Sequence, residues 1–464
     1  MHQRRTARND SRARIGTETH KTIRTNSHFG RYNSSVTKTD TSNDDPRPRH
    51  LSLRTVILIF GIAAGLRIGF VTLTNDPHPS QLTYPDEEGY WQASRSIARG
   101  EGLVDHQGFR ATRMPAYPAF LSLFSSITAA RVVQALLGAA AAVAIGGLGA
   151  RRFGTTVGFL AGLAVAVDPF GVFFTKLLLT ETLFTAALCI TWCIVASWFD
   201  PTGHAGRWIG GGVLLALCIY LRPAALGLVP VLLLLVLLRH RNRQAFLDSA
   251  VVVATVAVLL LPWAWRNHRV TGEWVWGTNR MGISLWDGLG PDADGSSNLA
   301  GTADWPEVRE LSEGDWNRYF RDRALQAARD DPARVIGLIP AKIARTWNPF
   351  PNAAAGRTTT LRIISAGWML PVAGMALAGV WSLRRSGWIL CLLILPAGYF
   401  TMVHTVFVGS VRYRLPAMPL LELLAAVGVV ALIDAWRAAP AHAADGSTPS
   451  PVEPDQPNDA PAND

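Results

Sequence analysis

The sequence predicts an all-α polytopic membrane protein with about ten transmembrane helices, interfacial helices in the first outer loop and a small helical outer segment. Hydrophobic residues make up 49% of the 464 residues and are gathered in long blocks. Blocks of this kind are typical of helices in a bilayer, which takes about 20 apolar residues to cross. The blocks contain few charges, and several of the turns between them are short and rich in arginine, which is typical of inserted helices.

Ten apolar blocks are predicted to span the membrane, and the first of them has Arg67 as its only interior charge. Dense basic turns follow the second, sixth and eighth blocks, which places these turns and both termini in the cytoplasm. The predicted spans cover residues 54–72, 132–150, 157–167, 182–198, 208–220, 225–238, 251–265, 363–381, 388–403 and 416–436.

The spans divide the chain into five predicted parts. Both ends lack apolar periodicity and are predicted to be disordered cytoplasmic tails. In the outer segment, Ser312 and Asp331 are each placed to begin a helix. The parts are a basic tail (1–50), an N-terminal transmembrane module (51–265) with the first outer loop (74–130), the outer segment (266–361), the C-terminal transmembrane helices (362–437) and a second tail (438–464).

Composition excludes several classes of function. The formal net charge is +10, but much of it lies in the first tail, where it suits anionic lipid rather than nucleic acid. No nucleic-acid partner is therefore predicted. The four cysteines all fall inside apolar blocks, which favours neither a disulfide framework nor a zinc site. No metal site and no cofactor are predicted. The cysteines are Cys189, Cys193, Cys218 and Cys391.

The first outer loop contains three consecutive carboxylates, Asp86, Glu87 and Glu88, between a proline and a glycine. Adjacent acids repel one another, so stability alone does not favour them. Near the membrane, one of them is expected to have a raised pKa and to act as a general base while a neighbour orients a sugar hydroxyl. The alternative is a solvated acidic turn.

Further candidates are cations, aromatic residues and one more carboxylate that the topology assigns to the same outer face. Arginine suits a bidentate contact with a phosphate. The alternatives are an interfacial anchor, a structural Lys–Glu pair or a snorkelling arginine. The candidates are Tyr90, Arg113, Tyr117, Lys176, Glu181, Arg222, Arg266, Arg412 and Arg414.

The order of these motifs resembles the GT-C membrane glycosyltransferases, specifically the family-39-like group with protein O-mannosyltransferases and bacterial aminoarabinose transferases. The resemblance covers residues 54–436. It is carried by Asp86-Glu87 with Tyr90, Arg113-x-Pro-x-Tyr-Pro, Thr180-Glu181, Leu221-Arg222-Pro223, Pro262-Trp263 with Arg266-Asn267, and Arg412-x-Arg-x-Pro.

The resemblance implies a GT-C fold and the transfer of a sugar from a polyprenyl-phosphate donor to an acceptor outside the cytoplasm. By analogy, Asp86 is the first choice for the base and Glu87 the second, with inversion at the anomeric carbon. Arg222, Arg412 and Arg414 are the first candidates for holding the leaving phosphate, with Lys176 in reserve. Membrane lipids are further partners.

The acceptor stays open: an envelope glycan, a lipid or a protein. The chain shows no β-rich insertion like that of eukaryotic O-mannosyltransferases, and it is shorter than typical aminoarabinose transferases. The implied location is the bacterial inner membrane, with the site on the periplasmic side. The rival functions are a transporter or flippase of lipid-linked sugars and a non-catalytic subunit of an envelope-assembly complex.

Overall fold

The computed structural model describes residues 50–74, 82, 84–105, 107–200, 205–299, 302, 305–352 and 358–444. The two predicted tails lie outside these residues, apart from His50 and residues 438–444, which continue the last helix. All regular secondary structure in the described part is helical.

Eight helices form the N-terminal half. A short 3-10 helix, Ala196–Phe199, extends the seventh of them, and another, Pro223–Gly227, follows the eighth. The helices are α1 (Leu53–Leu73), α2 (Pro85–Ala98), α3 (Ala116–Ser122), α4 (Ile127–Phe153), α5 (Thr155–Val167), α6 (Pro169–Lys176), α7 (Glu181–Val195) and α8 (Gly206–Leu221).

Nine helices form the C-terminal half, with 3-10 turns at Pro306–Val308 and at Leu415–Ala417. They are α9 (Leu228–His240), α10 (Arg243–Thr271), α11 (Met281–Leu289), α12 (Glu313–Asp330), α13 (Pro332–Thr346), α14 (Thr359–Leu383), α15 (Gly387–Val406), α16 (Val411–Arg414) and α17 (Met418–Ala444).

The predicted transmembrane segments all appear as apolar helices. Within the described residues, eight helices are long and apolar enough to cross a membrane: α1, α4, α7, α9, α10, α14, α15 and the continuous run from α16 to α17, with adjoining 3-10 turns included. Helices α5 and α6 are apolar enough only as a pair and are bent by 44° where they meet, as in a broken span or a re-entrant loop. The tenth predicted segment is α8, a shorter apolar helix of 16 residues. The polytopic all-α fold is thus confirmed.

The bend between α5 and α6 lies at Asp168-Pro169, where proline cannot continue the hydrogen-bond ladder. The Asp168 side chain accepts bonds of 2.9 and 3.0 Å from two amides in the first turn of α6. From α1, the Arg67 guanidinium donates to the carbonyls of Val165 and Ala166 at 2.9 and 2.7 Å. The two side chains therefore cap the helix ends that the break exposes, and we refer to Arg67 and Asp168 as the helix-break pair.

Helix α4 lies at the centre of the bundle and packs against α1, α5 and α7. Close approach to α5 depends on glycine, because a Cβ added at Gly158 would lie 2.5 Å from the Gly146 carbonyl oxygen. Small residues of this kind let membrane helices approach closely. Helix α17 packs against α5 and α14. The last span therefore lies beside the N-terminal module, which brings residues distant in sequence to one face.

The outer segment begins its helices where the sequence predicted. Ser312 caps α12 by accepting from the Asp315 amide at 3.3 Å, and Asp331 caps α13 by accepting from the Arg334 amide at 2.9 Å. On α12, Phe320 is fully buried in a small apolar cluster of the outer segment. Both predicted starts are confirmed.

A buried lysine joins the outer segment to the membrane helices. Lys342 on α13 donates from its Nζ to the carbonyl oxygens of Gly288, Thr405 and Val406, at 2.8 to 3.0 Å. Two of these carbonyls belong to the end of α15. Burial lowers the pKa of Lys342 to about 8. Its hydrogen bonds fix α11, α13 and the end of α15 together above the bundle.

Candidate active site

Asp86 lies in the first turn of α2, which begins at Pro85. Three arginines from separate parts of the chain surround its carboxylate. The Arg412 Nη1 atom lies 3.0 Å from Oδ2, whereas the nearest Nη2 atoms of Arg113 and Arg280 lie 3.5 and 4.0 Å from Oδ1. The Asp86 side chain is 34% exposed, so a bound molecule can reach it.

The expected raised pKa is not found for Asp86. Burial by itself would raise the pKa, but the charges of Arg412, Arg113 and Arg280 outweigh it and hold the pKa below its ordinary value. The loop sequence shows the neighbouring acids but not these cations, which come from distant segments. Asp86 is therefore ionised in this arrangement, as a proton acceptor must be.

Glu181 is the first residue of α7 and is fully buried. Its Oε1 atom accepts a hydrogen bond from Arg412 Nε and lies 3.3 Å from Arg222 Nη1. Its Oε2 atom has no hydrogen-bond partner among the described residues. Arg412 thus contacts two carboxylates at once, and Glu181 retains one free acceptor position. We refer to Asp86, Glu181, Arg113, Arg222, Arg280 and Arg412 as the arginine–carboxylate cluster.

Aromatic rings support Arg222, which lies in extended conformation just after α8. Its guanidinium carbon lies 5.7 Å from the ring centre of Phe184 and 5.5 Å from that of Tyr413. The Tyr413 ring in turn stacks on the His404 ring, with ring centres 3.7 Å apart. These cation–π contacts hold the Arg222 guanidinium in place without compensating its charge.

The two acids beside Asp86 point elsewhere, because successive helical residues face different directions. Glu87 is fully buried. One of its oxygens accepts from the Tyr84 amide at 3.1 Å, and the other from the Leu178 amide at 2.8 Å. Glu88 is exposed and accepts from Gln92 at 2.8 Å. Glu87 therefore fastens α2 to the segment before α7 through these two hydrogen bonds.

Arg113 reaches the cluster by stacking on α2. Its guanidinium lies 4.2 Å from the ring centre of Tyr90, whose edge contacts the Tyr117 ring at 5.0 Å. The Tyr117 hydroxyl donates to Gln134 at 2.5 Å. Gly89 leaves room for this stack, since a Cβ there would lie 2.5 Å from Arg113 Nη2. Tyr90 and Tyr117 thus act on the cluster through Arg113.

Three candidate cations lie outside the cluster. Lys176 is half-buried at the end of α6 and forms no ion pair within the described residues. The Arg266 guanidinium donates to two main-chain carbonyls of the first outer loop at 2.5 and 3.2 Å. In the same way, Arg414 donates to two carbonyls at the end of α13 at 2.6 and 3.1 Å. These two arginines position the loops around the site.

Arg280 was not singled out from the sequence. It lies directly before α11, in the predicted outer segment, where neither a motif nor an apolar pattern distinguishes it from other arginines. The one signal for Arg280 was the prediction that its segment lies on the same outer face as Asp86. Its position near Asp86 depends on how α11 packs on the bundle.

The cluster combines an accessible carboxylate, a buried carboxylate and four guanidinium groups. Such a set can accept a proton at Asp86 and stabilise a phosphate with the arginines, which form charge-assisted hydrogen bonds. Within the described part of the chain, no three His, Cys, Asp or Glu side chains converge on a common point. The positive charge beside Asp86 is supplied by arginine.

In a sequence comparison, one family model matches a range of residues that includes part of this site. The model described as dolichyl-phosphate-mannose-protein mannosyltransferase matches residues 113–265, about a third of the chain. The range includes Arg113, Glu181 and Arg222 but neither Asp86 nor Arg412. No curated protein matches the chain in sequence.

Structural comparison finds the archaeal oligosaccharyltransferase AglB from Archaeoglobus fulgidus, in complex with an inhibitory peptide and a dolichol-phosphate. The TM-score is 0.51 at 14% identity, over 85% of this chain and 52% of that chain. The same oligosaccharyltransferase tethered with an acceptor peptide gives 0.53 at 12% identity, over 83% and 50%. ArnT from Cupriavidus metallidurans bound to undecaprenyl phosphate gives 0.41 at 15% identity, over 85% and 81%.

The family match and the two oligosaccharyltransferase matches confirm the resemblance to the GT-C glycosyltransferases at the level of the fold. At 12–14% identity, the oligosaccharyltransferase matches show a shared arrangement of membrane helices. The chain spans about half the length of the oligosaccharyltransferase chains it matches. The fold does not by itself fix the reaction, which depends on the residues of the site.

Proposed function

We propose that this protein is an integral-membrane glycosyltransferase that moves a sugar from a polyprenyl-phosphate donor to an acceptor on the non-cytoplasmic face. The observation that carries the proposal is the position of Asp86: it is partly exposed, ionised and surrounded by Arg113, Arg280 and Arg412. The matched family and structures supply the class of donor, since their descriptions name dolichyl-phosphate-mannose and dolichol-phosphate.

In the proposed reaction, Asp86 accepts the proton of the acceptor group as that group bonds to the anomeric carbon. The bond between this carbon and the phosphate oxygen breaks on the opposite face, so the configuration inverts. The electron pair leaves with the polyprenyl phosphate. Arginines next to the phosphate stabilise the charge that develops on it, which is the usual electrostatic contribution to such transfers.

Arg412 links the two halves of this reaction. It pairs with both Asp86 and Glu181, so its charge compensates both carboxylates. A phosphate that binds Arg412 competes with Asp86 for the guanidinium. The pKa of Asp86 then rises from its lowered value, which makes it a stronger base when donor is present. Glu181 keeps its contact with Arg222 and holds the cation layer in position.

The distribution of basic turns supports the sidedness of the proposal. Arg152, Arg239 and Arg385 come from three separate basic turns and line one cavity. Helix α7 leads from Glu181 in the cluster towards this cavity, which its 3-10 extension lines. The basic turns thus lie at the end of the bundle opposite Asp86. By the positive-inside rule, that end is cytoplasmic and Asp86 faces the other side.

The first prediction tests the base. Asp86→Asn removes the proton acceptor while it keeps the size of the side chain, so we expect turnover to fall by at least about 100-fold, because general-base catalysis contributes that much or more. The measurement is transfer of radiolabel from a panel of polyprenyl-phosphate sugars to endogenous acceptors, in membranes that contain the full chain.

Glu88→Gln is the matched control, since Glu88 lies in the same helical turn but is exposed. We expect this variant to stay within about twofold of the unmodified protein, because exposed substitutions away from a site have small effects. Full transfer by Asp86→Asn would contradict the proposed base. No transfer from any donor, by the unmodified protein itself, would contradict the proposed class of enzyme.

A transporter or flippase of lipid-linked sugars is the second candidate, because the spans contain buried ionisable residues. Arg67, Asp168 and Glu422 are all buried, and buried ionisable groups in spans often mark transport pathways. The helix-break pair, however, is engaged in capping α5 and α6. A flippase moves the donor across the bilayer intact, so the appearance of free polyprenyl phosphate in the assay distinguishes the transferase.

A further inference from the structure

A second site lies at the end of the bundle opposite the arginine–carboxylate cluster. A cavity of about 400 Å³ opens there between the ends of α4 and α9, the 3-10 extension of α7 and the start of α15. Its wall is apolar where Phe199, Leu392 and Leu393 line it, whereas Arg152, Arg239 and Arg385 contribute guanidinium groups. We call it the basic cavity.

The charges of the basic cavity are only partly compensated. Arg152 forms a bidentate pair with Asp200, with nitrogen–oxygen distances of 2.6 and 2.9 Å. Arg239 and Arg385 are exposed and form no ion pair with any described carboxylate. The Arg239 guanidinium lies 6.0 Å from the ring centre of Trp388. Two positive charges therefore face the cavity without a counter-ion from the described chain.

We propose that the basic cavity binds the headgroup of an anionic phospholipid from the adjacent leaflet. The lipid phosphate pairs with Arg239 and Arg385, and the first carbons of its chains lie along Leu392 and Leu393. An anionic lipid fits this lining because its phosphate can pair with the uncompensated positive charges, while its chains can lie against the apolar wall. Basic hollows between membrane helices suit anionic headgroups for this reason.

A bound lipid connects the turn between α14 and α15 to α4 and α7. These helices also reach the other face, where Glu181 begins α7 and His404 near the end of α15 stacks on Tyr413. The lipid is therefore placed to stabilise the helices that position the cluster, without contact with any of its residues.

The test measures lipid retention by native mass spectrometry of the full chain in detergent. The probes are dioctanoyl phosphatidylglycerol, dioctanoyl phosphatidylcholine and inorganic phosphate. For the unmodified protein we expect one molecule of the anionic lipid to be retained about 25-fold more strongly than the zwitterionic one, which is about fivefold for each of the two arginines. Arg239→Gln with Arg385→Gln should lower this preference by about fivefold per arginine, the usual weight of a basic residue at a membrane surface.

Two variants keep the test specific. Arg384→Gln is the matched control: Arg384 neighbours Arg385, but its guanidinium lies 4.2 Å from the Trp381 ring centre and does not line the cavity. Its lipid preference should be unchanged. Gly387→Leu adds an apolar side chain at a residue that lines the cavity, and it needs no shift of the arginines because a Cβ at Gly387 meets no atom within 4 Å. This variant should lose the retained lipid.

An unchanged preference for the anionic lipid in the double arginine variant, or retention of that lipid by Gly387→Leu, would overturn the proposal. Equal retention of the two lipids by the unmodified protein would do the same. Displacement of the anionic lipid by low millimolar inorganic phosphate would show a site for soluble phosphate instead of a lipid site. A monodisperse elution profile for each variant, recorded beforehand, restricts the comparison to folded protein.

Discussion

The arginine–carboxylate cluster and the helix-break pair both place arginine next to a carboxylate residue within the helical bundle, but they satisfy their charges differently. In the pair, Arg67 donates to main-chain carbonyls and Asp168 accepts from main-chain amides. In the cluster, arginines contact carboxylates: Arg412 pairs with both Asp86 and Glu181. The partners of the helix-break pair are thus main-chain groups with fixed positions. The partners within the cluster are side chains, which can exchange one partner for another.

This difference distinguishes the structural role of the helix-break pair from the chemical role proposed for the cluster. Main-chain groups at a helix end are fixed in position, so Arg67 has no partner to exchange. Arg412 can be drawn to a phosphate because its present partners are side chains, one of which is 34% exposed. Three predictions test this contrast, one at each region and one on the electrostatics of Asp86.

The largest effect is expected from Arg412→Gln. This change removes the cation shared by Asp86 and Glu181, so transfer should fall by at least about 100-fold, as when a group that stabilises developing charge is lost. Stability should fall by about 3 kcal/mol, because Glu181 is left buried with a weaker set of partners. The measurements are the donor-transfer assay and the free energy of unfolding in a mild detergent.

A second substitution distinguishes the two roles of Arg412. Glu181→Gln added to Arg412→Gln removes the buried charge, so stability should return while transfer stays low. Recovery of transfer in this double variant would show that Arg412 acts only by neutralising Glu181.

An intermediate effect, confined to stability, is expected from Arg67→Met. The carbonyls of Val165 and Ala166 lose their donor, and unsatisfied buried carbonyls should lower the free energy of unfolding by about 2 kcal/mol. Turnover per folded molecule should stay within twofold, about the limit of assay precision. Arg54→Met is the control, since Arg54 is exposed on the same helix. If Arg67→Met lowered turnover per folded molecule and Arg54→Met did not, the helix-break pair would have a role in the reaction as well as in stability.

The smallest effect is expected from Arg280→Gln and concerns pH. Arg280 helps to hold the pKa of Asp86 below its ordinary value, so its removal raises that pKa. Because the proposed base acts in its ionised form, the acid limb of the kcat/KM profile should move to higher pH. Activity should therefore fall more at acidic pH than at neutral pH. Exposed Arg309, also in the outer segment, provides the control Arg309→Gln, whose acid limb should stay unchanged.

The sequence predicted those features that depend on neighbouring residues. Helix starts at Ser312 and Asp331 follow from a side chain and an amide three residues apart, and the spans follow from continuous apolar blocks. Glu87 shows the limit of local reasoning. Its acidic neighbours indicated a catalytic loop, whereas its own carboxylate binds the Leu178 amide, 91 residues away.

The pairing within the site was beyond prediction for the same reason. Topology placed Asp86 and Arg412 on one face, but their contact joins residues 326 positions apart. Similarly, Arg266 and Arg414 carried the same signal as Arg412, and only packing directs their guanidinium groups to carbonyls instead. The fold could therefore be predicted from the apolar blocks. Which arginines contact carboxylates and which contact main-chain carbonyls could be read only from the tertiary contacts.

The distance along the chain between Asp86 and Arg412 also has a consequence for biosynthesis. Arg412 is translated 326 residues after Asp86, when nearly all of the spans have already emerged and entered the bilayer. Until then, Glu181 lacks its shared cation. A chain released before α16 would therefore lack part of the proposed site and would carry an incompletely compensated buried acid. The final helices thus complete both the proposed site and the charge compensation of Glu181.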